Sequence, residues 1–217
     1  MMLEKIFPKV HQEGYKFLVI SVILTLILWS ISDFFGFIFT LITIWVYYFF
    51  RDPERTIIDD DNYLVSPADG LVTAIKEVKG PIELGLESKT FTRVSIFMNV
   101  FNCHVNRSPS TGKIDDIFYK PGKFLNASLD KASEENERNY YKIKSKNSGD
   151  EIVVVQIAGL IARRIISQTE KNQEIKQGQR IGMIRFGSRV DLYFNNRKIM
   201  VKVGQDVTAG ESLIARS

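Results

Sequence analysis

The chain has 217 residues, 45% hydrophobic and 25% charged, which excludes a disordered chain or a low-complexity fibre and allows one to two domains. One cysteine, Cys103, excludes a disulfide framework and a multi-cysteine zinc site, and two histidines, His11 and His104, leave little room for a His-rich metal centre, so no metal is expected. The net charge of +4 suits an anionic membrane surface and is too small to argue for nucleic acid as a partner.

From Phe17 to Phe50 the only charged side chain is Asp33, and both tryptophans, Trp29 and Trp45, lie in this stretch. Met1–Lys16 forms a short amphipathic lead. Phe17–Ser32 and Phe34–Phe50 are apolar runs of 16 and 17 residues. Each is slightly shorter than the roughly 20 residues that span a bilayer core, and together they are too long for one span. Ser30, Ser32, Asp33 and Gly36 supply turn chemistry between them. The pattern predicts an N-terminal hydrophobic helical hairpin, residues 1–50, with Asp33 at its tip. Lys9 and Lys16 before it and Arg51 and Arg55 after it place both ends on the cytoplasmic side, with Trp45, Tyr47 and Tyr48 at the interface. A cleaved signal peptide is disfavoured, because its apolar region is only about 7–15 residues long.

After Phe50 the pattern changes to short β-rich segments. Leu64–Val65, Leu71–Val78, Thr92–Val100, Lys113–Tyr119, Tyr140–Lys146, Glu151–Ala158, Arg180–Phe186, Val190–Phe194 and Lys198–Val203 read as strands, many separated by turn residues. Lys131–Arg138 reads as a loop, and Leu160–Ser167 as a strand or a short helix. Residues 51–217 therefore form a mainly β domain, an antiparallel sandwich or barrel. Lys176–Ile184 resembles Lys202–Ile214, a Gly turn followed by alternating apolar residues, as in lipoyl-like elements. The exposed modifiable lysine of a carrier is missing, so the echo is architectural.

Three segments carry candidate chemistry. In Ser66–Gly70 (SPADG), Asp69 either caps its own turn or orients a neighbouring group. In Phe101–Pro109 (FNCHVNRSP), strand alternation puts His104 on one face with Asn102 and Asn106, and a histidine suits proton transfer near neutrality. The same alternation turns Cys103 away from His104, so Cys103 reads as a buried structural thiol. In Arg185–Phe194 (RFGSRVDLYF), Gly187-Ser188 closes one strand and opens the next, and Ser188 lacks the G-x-S-x-G elbow of an α/β-hydrolase.

Taken in order, the hydrophobic N-terminus ending in FFRDPER (Phe49–Arg55), then SPADG, HVNRSP and FGSRVD, closely resemble the short bacterial phosphatidylserine decarboxylase proenzymes, a pyruvoyl-dependent family. The resemblance covers nearly the whole chain. It implies self-cleavage between Gly187 and Ser188, the Ser188 hydroxyl attacking the Gly187 carbonyl. Elimination then gives a β chain, 1–187, and an α chain, 188–217, whose first residue becomes a covalent pyruvoyl group. That group would serve as an electron sink in decarboxylating phosphatidylserine to phosphatidylethanolamine, with Asp69 and His104 as acid–base partners. The resemblance further implies membrane lipid as a partner, self-association, and residence at the bacterial inner membrane with the catalytic domain on the cytoplasmic side. Larger members carry a second histidine where this chain has Arg107. His104 then serves both steps, or Asp69 acts alone in cleavage, and Arg107 either binds substrate phosphate or carboxylate or is an exposed structural arginine. The competing reading is a membrane-anchored lipoyl-like adaptor without enzymatic activity. It lacks support from any sustained heptad pattern.

Overall fold

A computed structural model of the chain describes residues 7–125, 134–147, 149–160, 164–185 and 188–217. Two compact units result, one ending at Glu54 and the other running Arg55–Ser217.

In the first unit, β1 (Lys9–Val10) is followed by helices α1 (Tyr15–Ile31) and α2 (Asp33–Phe49) and by β2 (Arg51–Asp52). β1 and β2 pair antiparallel and close the open end of the hairpin. The helices break at Ser32, which is extended (φ −161°), and Asp33 is exposed at the start of α2. Polar side chains line the seam: Thr25 Oγ1 lies 2.9 Å from Thr43 Oγ1, and Trp29 Nε1–H donates to Thr40 Oγ1 at 3.1 Å. Gly36 lets the helices approach, since a Cβ there would sit 2.5 Å from the Trp29 ring. Val19, Leu26, Ile31, Phe34 and Phe37 are exposed on the outside. Small and polar side chains within and large apolar ones without is the arrangement of helices packed in hydrocarbon. Gln12–Ile31 is long and apolar enough to cross a membrane, whereas α2 is shorter, at 17 residues.

The second unit contains β3 (Tyr63–Val65), β4 (Gly70–Lys79), β5 (Thr90–Met98), β6 (Val105–Arg107), β7 (Gly112–Lys120), β8 (Arg138–Ser145), β9 (Glu151–Ala158), β10 (Arg164–Ser167), β11 (Glu174–Ile175), β12 (Arg180–Arg185), β13 (Ser188–Phe194), β14 (Lys198–Ile199), β15 (Asp206–Val207) and β16 (Leu213–Arg216). Eight of these form one curled antiparallel half-barrel in the order β11-β7-β8-β9-β13-β5-β4-β15. Two three-stranded sheets, β10-β12-β6 and β14-β16-β3, complete the unit. Period-two alternation sends Val94, Ile96 and Met98 of β5 and Val190, Leu192 and Phe194 of β13 into one core. Ile181 and Ile184 of β12 and Leu64, Ile214 and Ala215 of the small sheets join that core. Phe91, Tyr140, Val153, Val155 and Ile157 form a second cluster on the opposite face of the large sheet.

The mainly β architecture and the apolar helical pair agree with the sequence reading, with local differences. Lys198–Val203 contracts to β14 because the chain turns at Gly204, which takes a left-handed φ of +85°. Leu160–Ser167 resolves as a strand over Arg164–Ser167, residues 161–163 lying outside the described residues. Of the expected loop Lys131–Arg138, residues 131–133 lie outside the described residues and Arg138 opens β8. Cys103 and His104 precede β6 instead of lying within a strand, so alternation does not separate them; both are buried. The internal echo is a repeated turn: Gln179 Oε1 accepts the Lys176 N–H at 2.9 Å, and Gln205 Oε1 accepts the Lys202 N–H at 3.2 Å.

Candidate functional site

Ser188 opens β13, a central strand, where it pairs with Met98 of β5 on one side and Ala158 of β9 on the other. Its side chain points inward with Val190 and Leu192 and is fully buried. The hydroxyl donates to the Met98 Sδ at 3.4 Å, a weak acceptor. Gly187, the other half of the expected scissile bond, lies outside the described residues.

His104 is fully buried on the short approach to β6, and its carbonyl accepts the Ile184 N–H at 3.3 Å, near the end of the strand that leads to position 188. The ring Nδ1 lies 3.0 Å from the Asn102 carbonyl oxygen. A carbonyl only accepts, so Nδ1 carries the hydrogen and Nε2 is the nitrogen able to take a proton. Two residues on, Asn106 reaches the sulfur that Ser188 touches, with Nδ2 3.7 Å from Met98 Sδ. Its Oδ1 accepts from Gln156 Nε2 at 2.8 Å, and Gln156 Oε1 in turn lies 3.0 Å from the Tyr141 hydroxyl and 3.2 Å from Asn139 Nδ2. Burial pushes the Tyr141 hydroxyl well above its ordinary value, so it stays protonated as a donor. The histidine segment and the serine are thus joined through Met98 into one buried polar patch.

Asp69 lies in an ion pair with Arg55. Arg55 Nη2 lies 2.9 and 2.7 Å from its two carboxylate oxygens, and the Ala209 N–H donates to Oδ1 at 2.8 Å. His104 is not among these partners. The SPADG turn is tight for a local reason: a Cβ on Gly70 would sit 2.2 Å from the Phe97 carbonyl oxygen, so the chain there meets β5 backbone to backbone. The Pro67 carbonyl accepts the Arg107 N–H at 2.9 Å, which ties this turn to the histidine segment. Arg55, read from sequence as a flanking membrane charge, is instead the Asp69 partner, with its side chain 14% exposed.

Arg107 is buried, with Nη1–H donating to the Gly178 carbonyl at 2.9 Å. It is therefore not the exposed arginine offered as the alternative to a substrate role. A cavity of about 470 Å³ opens elsewhere, among β7, β8 and β11, lined by Lys113, Lys144, Lys146 and Lys176 among others. Lys144 pairs with Glu151 at the far end of β9 from Ala158, so this cavity lies at the other end of the sheet from Ser188. Sequence reasoning missed Met98, Gln156 and the Arg55–Asp69 pair, since the partners are far apart in the chain. It also missed Arg189 and Asp191, whose signal was available: two charges alternating with apolar residues in one strand.

Fold and site together define a class: a β-rich enzyme with a buried serine at the head of a central strand and a buried histidine on the adjoining segment. Comparison with known proteins makes this specific. The phosphatidylserine decarboxylase family profile matches residues 42–215. The chain is 66% identical over 215 residues to the phosphatidylserine decarboxylase proenzyme of Pelagibacter ubique (strain HTCC1062), covering 99% of this chain and 100% of that one. It is 50% identical over 206 residues to that of Ruegeria pomeroyi (strain ATCC 700808 / DSM 15171 / DSS-3), covering 94% of each. To that of Cereibacter sphaeroides (strain ATCC 17025 / ATH 2.4.3) it is 48% identical over 215 residues, covering 99% and 92%. The chain belongs to the phosphatidylserine decarboxylase family.

Proposed function

We propose that the chain is a proenzyme that cuts itself between Gly187 and Ser188, then decarboxylates phosphatidylserine to phosphatidylethanolamine and carbon dioxide with a pyruvoyl group made from Ser188. The observation that carries this reading is the setting of Ser188. It is fully buried, and its hydroxyl touches only a thioether among the described residues. When the serine oxygen leaves, the described residues lose only this weak thioether contact, and the methyl group left behind meets the Met98 sulfur. The position therefore fits the group. When formed, the pyruvoyl carbonyl supplies an electron sink that stabilises the negative charge left by departing carbon dioxide.

The chain's own residues do the rest. In the cut, the Ser188 Oγ forms an ester bond to the Gly187 carbonyl carbon as the Gly187–Ser188 C–N bond breaks. Loss of the position-188 α proton and of the ester oxygen frees the β chain, and water then replaces the nitrogen as ammonia. His104 Nε2, unprotonated in the Nδ1–H tautomer that the Asn102 carbonyl holds, takes up a proton from water and passes it to the carbon that carbon dioxide leaves. Asp69 acts by position. Its carboxylate binds Arg55 and the Ala209 N–H, which joins the β chain to the α chain beside the site. Arg107 holds the turn at Gly178.

The substrate's acyl tails remain in a bilayer, and the apolar hairpin fits membrane anchoring there. Lys9, Lys16 and Arg51 at its ends support the inner membrane with the catalytic unit on the cytoplasmic side. The reading is tested by incubating the full chain with phosphatidylserine vesicles and measuring phosphatidylethanolamine. Wild type is expected to form it and Ser188→Ala to form none. Equal product from both contradicts the reading.

A further inference from the structure

One strand of the large sheet carries an ion pair where an apolar surface was available. On β13, Ser188, Val190, Leu192 and Phe194 face the main core, and Arg189, Asp191 and Tyr193 face the other way. That second face is also covered: Arg189 and Asp191 are each only 2% exposed. Their cross-strand neighbours on β9 are Ile157 and Val155. Arg189 runs along its own strand and grips Asp191 with two arms, Nε–H to Oδ1 at 2.6 Å and Nη2–H to Oδ2 at 2.9 Å. The same Nη2 donates to Ser95 Oγ on β5 at 2.9 Å, and Arg93 Nε of β5 lies 3.9 Å from Asp191 Oδ2.

A buried pair of this kind is a poor way to add stability, because removing two charges from water offsets most of their attraction. Its best-supported use is to fix register. Register matters on this strand for a reason that rests on the proposed cut. Cleavage turns Ser188 from a mid-chain residue into the first residue of a new chain, and chain ends fray. A slip of one residue would turn position 188 to the opposite face and bury both charges in the main core. We infer that the Arg189–Asp191–Ser95 cluster is a register clamp. It holds the new N-terminus of the α chain in place between β5 and β9, so that the reactive group at 188 stays against Met98 and the histidine segment. Arg189 and Asp191 are positioning residues. They lie on the far face of the sheet from the side chain of 188 and act through the backbone.

The test compares wild type with R189M/D191L, which removes both charges together and leaves neither stranded. Each is prepared as the full chain in detergent, cut and, in a Ser188→Ala background, uncut. The clamp predicts that amides 190–193 exchange hydrogen at least about tenfold faster in the cut double variant than in cut wild type, and within about twofold of each other in the uncut pair. It also predicts that kcat on phosphatidylserine micelles falls at least about tenfold with KM little changed. If the double variant does not fold, Arg189→Lys, which keeps the charge and loses the two-armed grip, is expected to shift exchange and kcat in the same direction by less. Unchanged exchange and kcat in a cut variant overturn the inference. So does equal acceleration in cut and uncut chains, which marks a general structural pair, or a folded double variant that no longer cuts. A wild-type chain that never cuts removes the pyruvoyl reading and this role with it; intact mass separates that case from the others.

Discussion

Isoleucine and valine are fully buried in β5, β9 and β13, where Ile96, Val154 and Val190 show 0% exposure, yet on α1 Val19 and Ile20 stand 57% and 55% exposed. Polar groups invert in the same way. In the hairpin, threonines and the Trp29 N–H turn to the seam between the helices. In the β unit buried polar groups are paired inside the fold, and two such groupings, the Asn106–Gln156–Tyr141 network and the Arg189–Asp191 pair, lie beside position 188. The difference teaches what each unit is built for. The exposed apolar surface of the hairpin suits apolar surroundings. The β unit packs its apolar side chains inward as a water-soluble core does and sets paired polar clusters within it, two of them beside Ser188.

The sharpest way to break this division is to separate chemistry from anchoring. His104→Ala alters nothing in the hairpin, and kcat is expected to fall about 10²–10⁴-fold, as for loss of a general acid or base, with membrane binding unchanged in vesicle flotation. Next come matched apolar substitutions. Ile96→Ala is expected to lower the unfolding free energy by about 2–5 kcal/mol, whereas Ile20→Ala in detergent changes it by less than about 0.5 kcal/mol. Ile20→Lys reverses the contrast: it leaves the β unit's melting unchanged and reduces the vesicle-bound fraction, by an insertion penalty of about 2.5–3.5 kcal/mol. A smaller effect tests how Asp69 works. Asp69→Asn and Arg55→Gln are each expected to slow self-cleavage about tenfold, and the double variant no further, because the two act as one unit. An independent proton-transfer role for Asp69 would instead make the losses multiply.

The smallest effect concerns pH. Burial on its own raises the carboxyls of Glu83 and Glu151. Hydrogen bonds from Lys120 to Glu83, and from Lys89 and Lys142 to Glu151, outweigh it and hold both below their ordinary value of 4.5. A carboxyl lowered by folding stabilises the fold above its unfolded value and loses that contribution as pH falls through the folded one. The melting temperature of the β unit should therefore be flat from neutral pH to about 5 and decline below it. Glu151→Gln should shallow that decline, as a pH series of thermal melts would show.

Much of this was legible in the sequence because it is local. The apolar runs mark the helices to within two residues, and β-branched and aromatic runs, many set off by turn residues, mark most strands of the large sheet. Ser188, His104 and Asp69 stood out through neighbours in the chain. What the sequence withheld is pairing at a distance. Nothing near Arg55 says that its partner is Asp69, 14 residues on, or that Gln156 reaches Asn106 across 50 residues. His104 sits just before a strand, not in one, because the tight turn at Pro67–Gly70 binds Asn106 and Arg107 first and sets where pairing begins. The Arg189–Asp191 pair was readable as an anomaly, charges in an apolar strand, but its purpose depends on which face is covered.

The central claim is that this chain cuts itself at Ser188. The most direct measurement is the intact mass of purified wild type beside Ser188→Ala. The account predicts two wild-type fragments divided between Gly187 and Ser188, the smaller blocked at its N-terminus with the mass of a pyruvoyl group, and a single uncut chain of 24.9 kDa for the variant. A folded wild-type chain that stays whole would contradict it and favour a membrane-anchored adaptor.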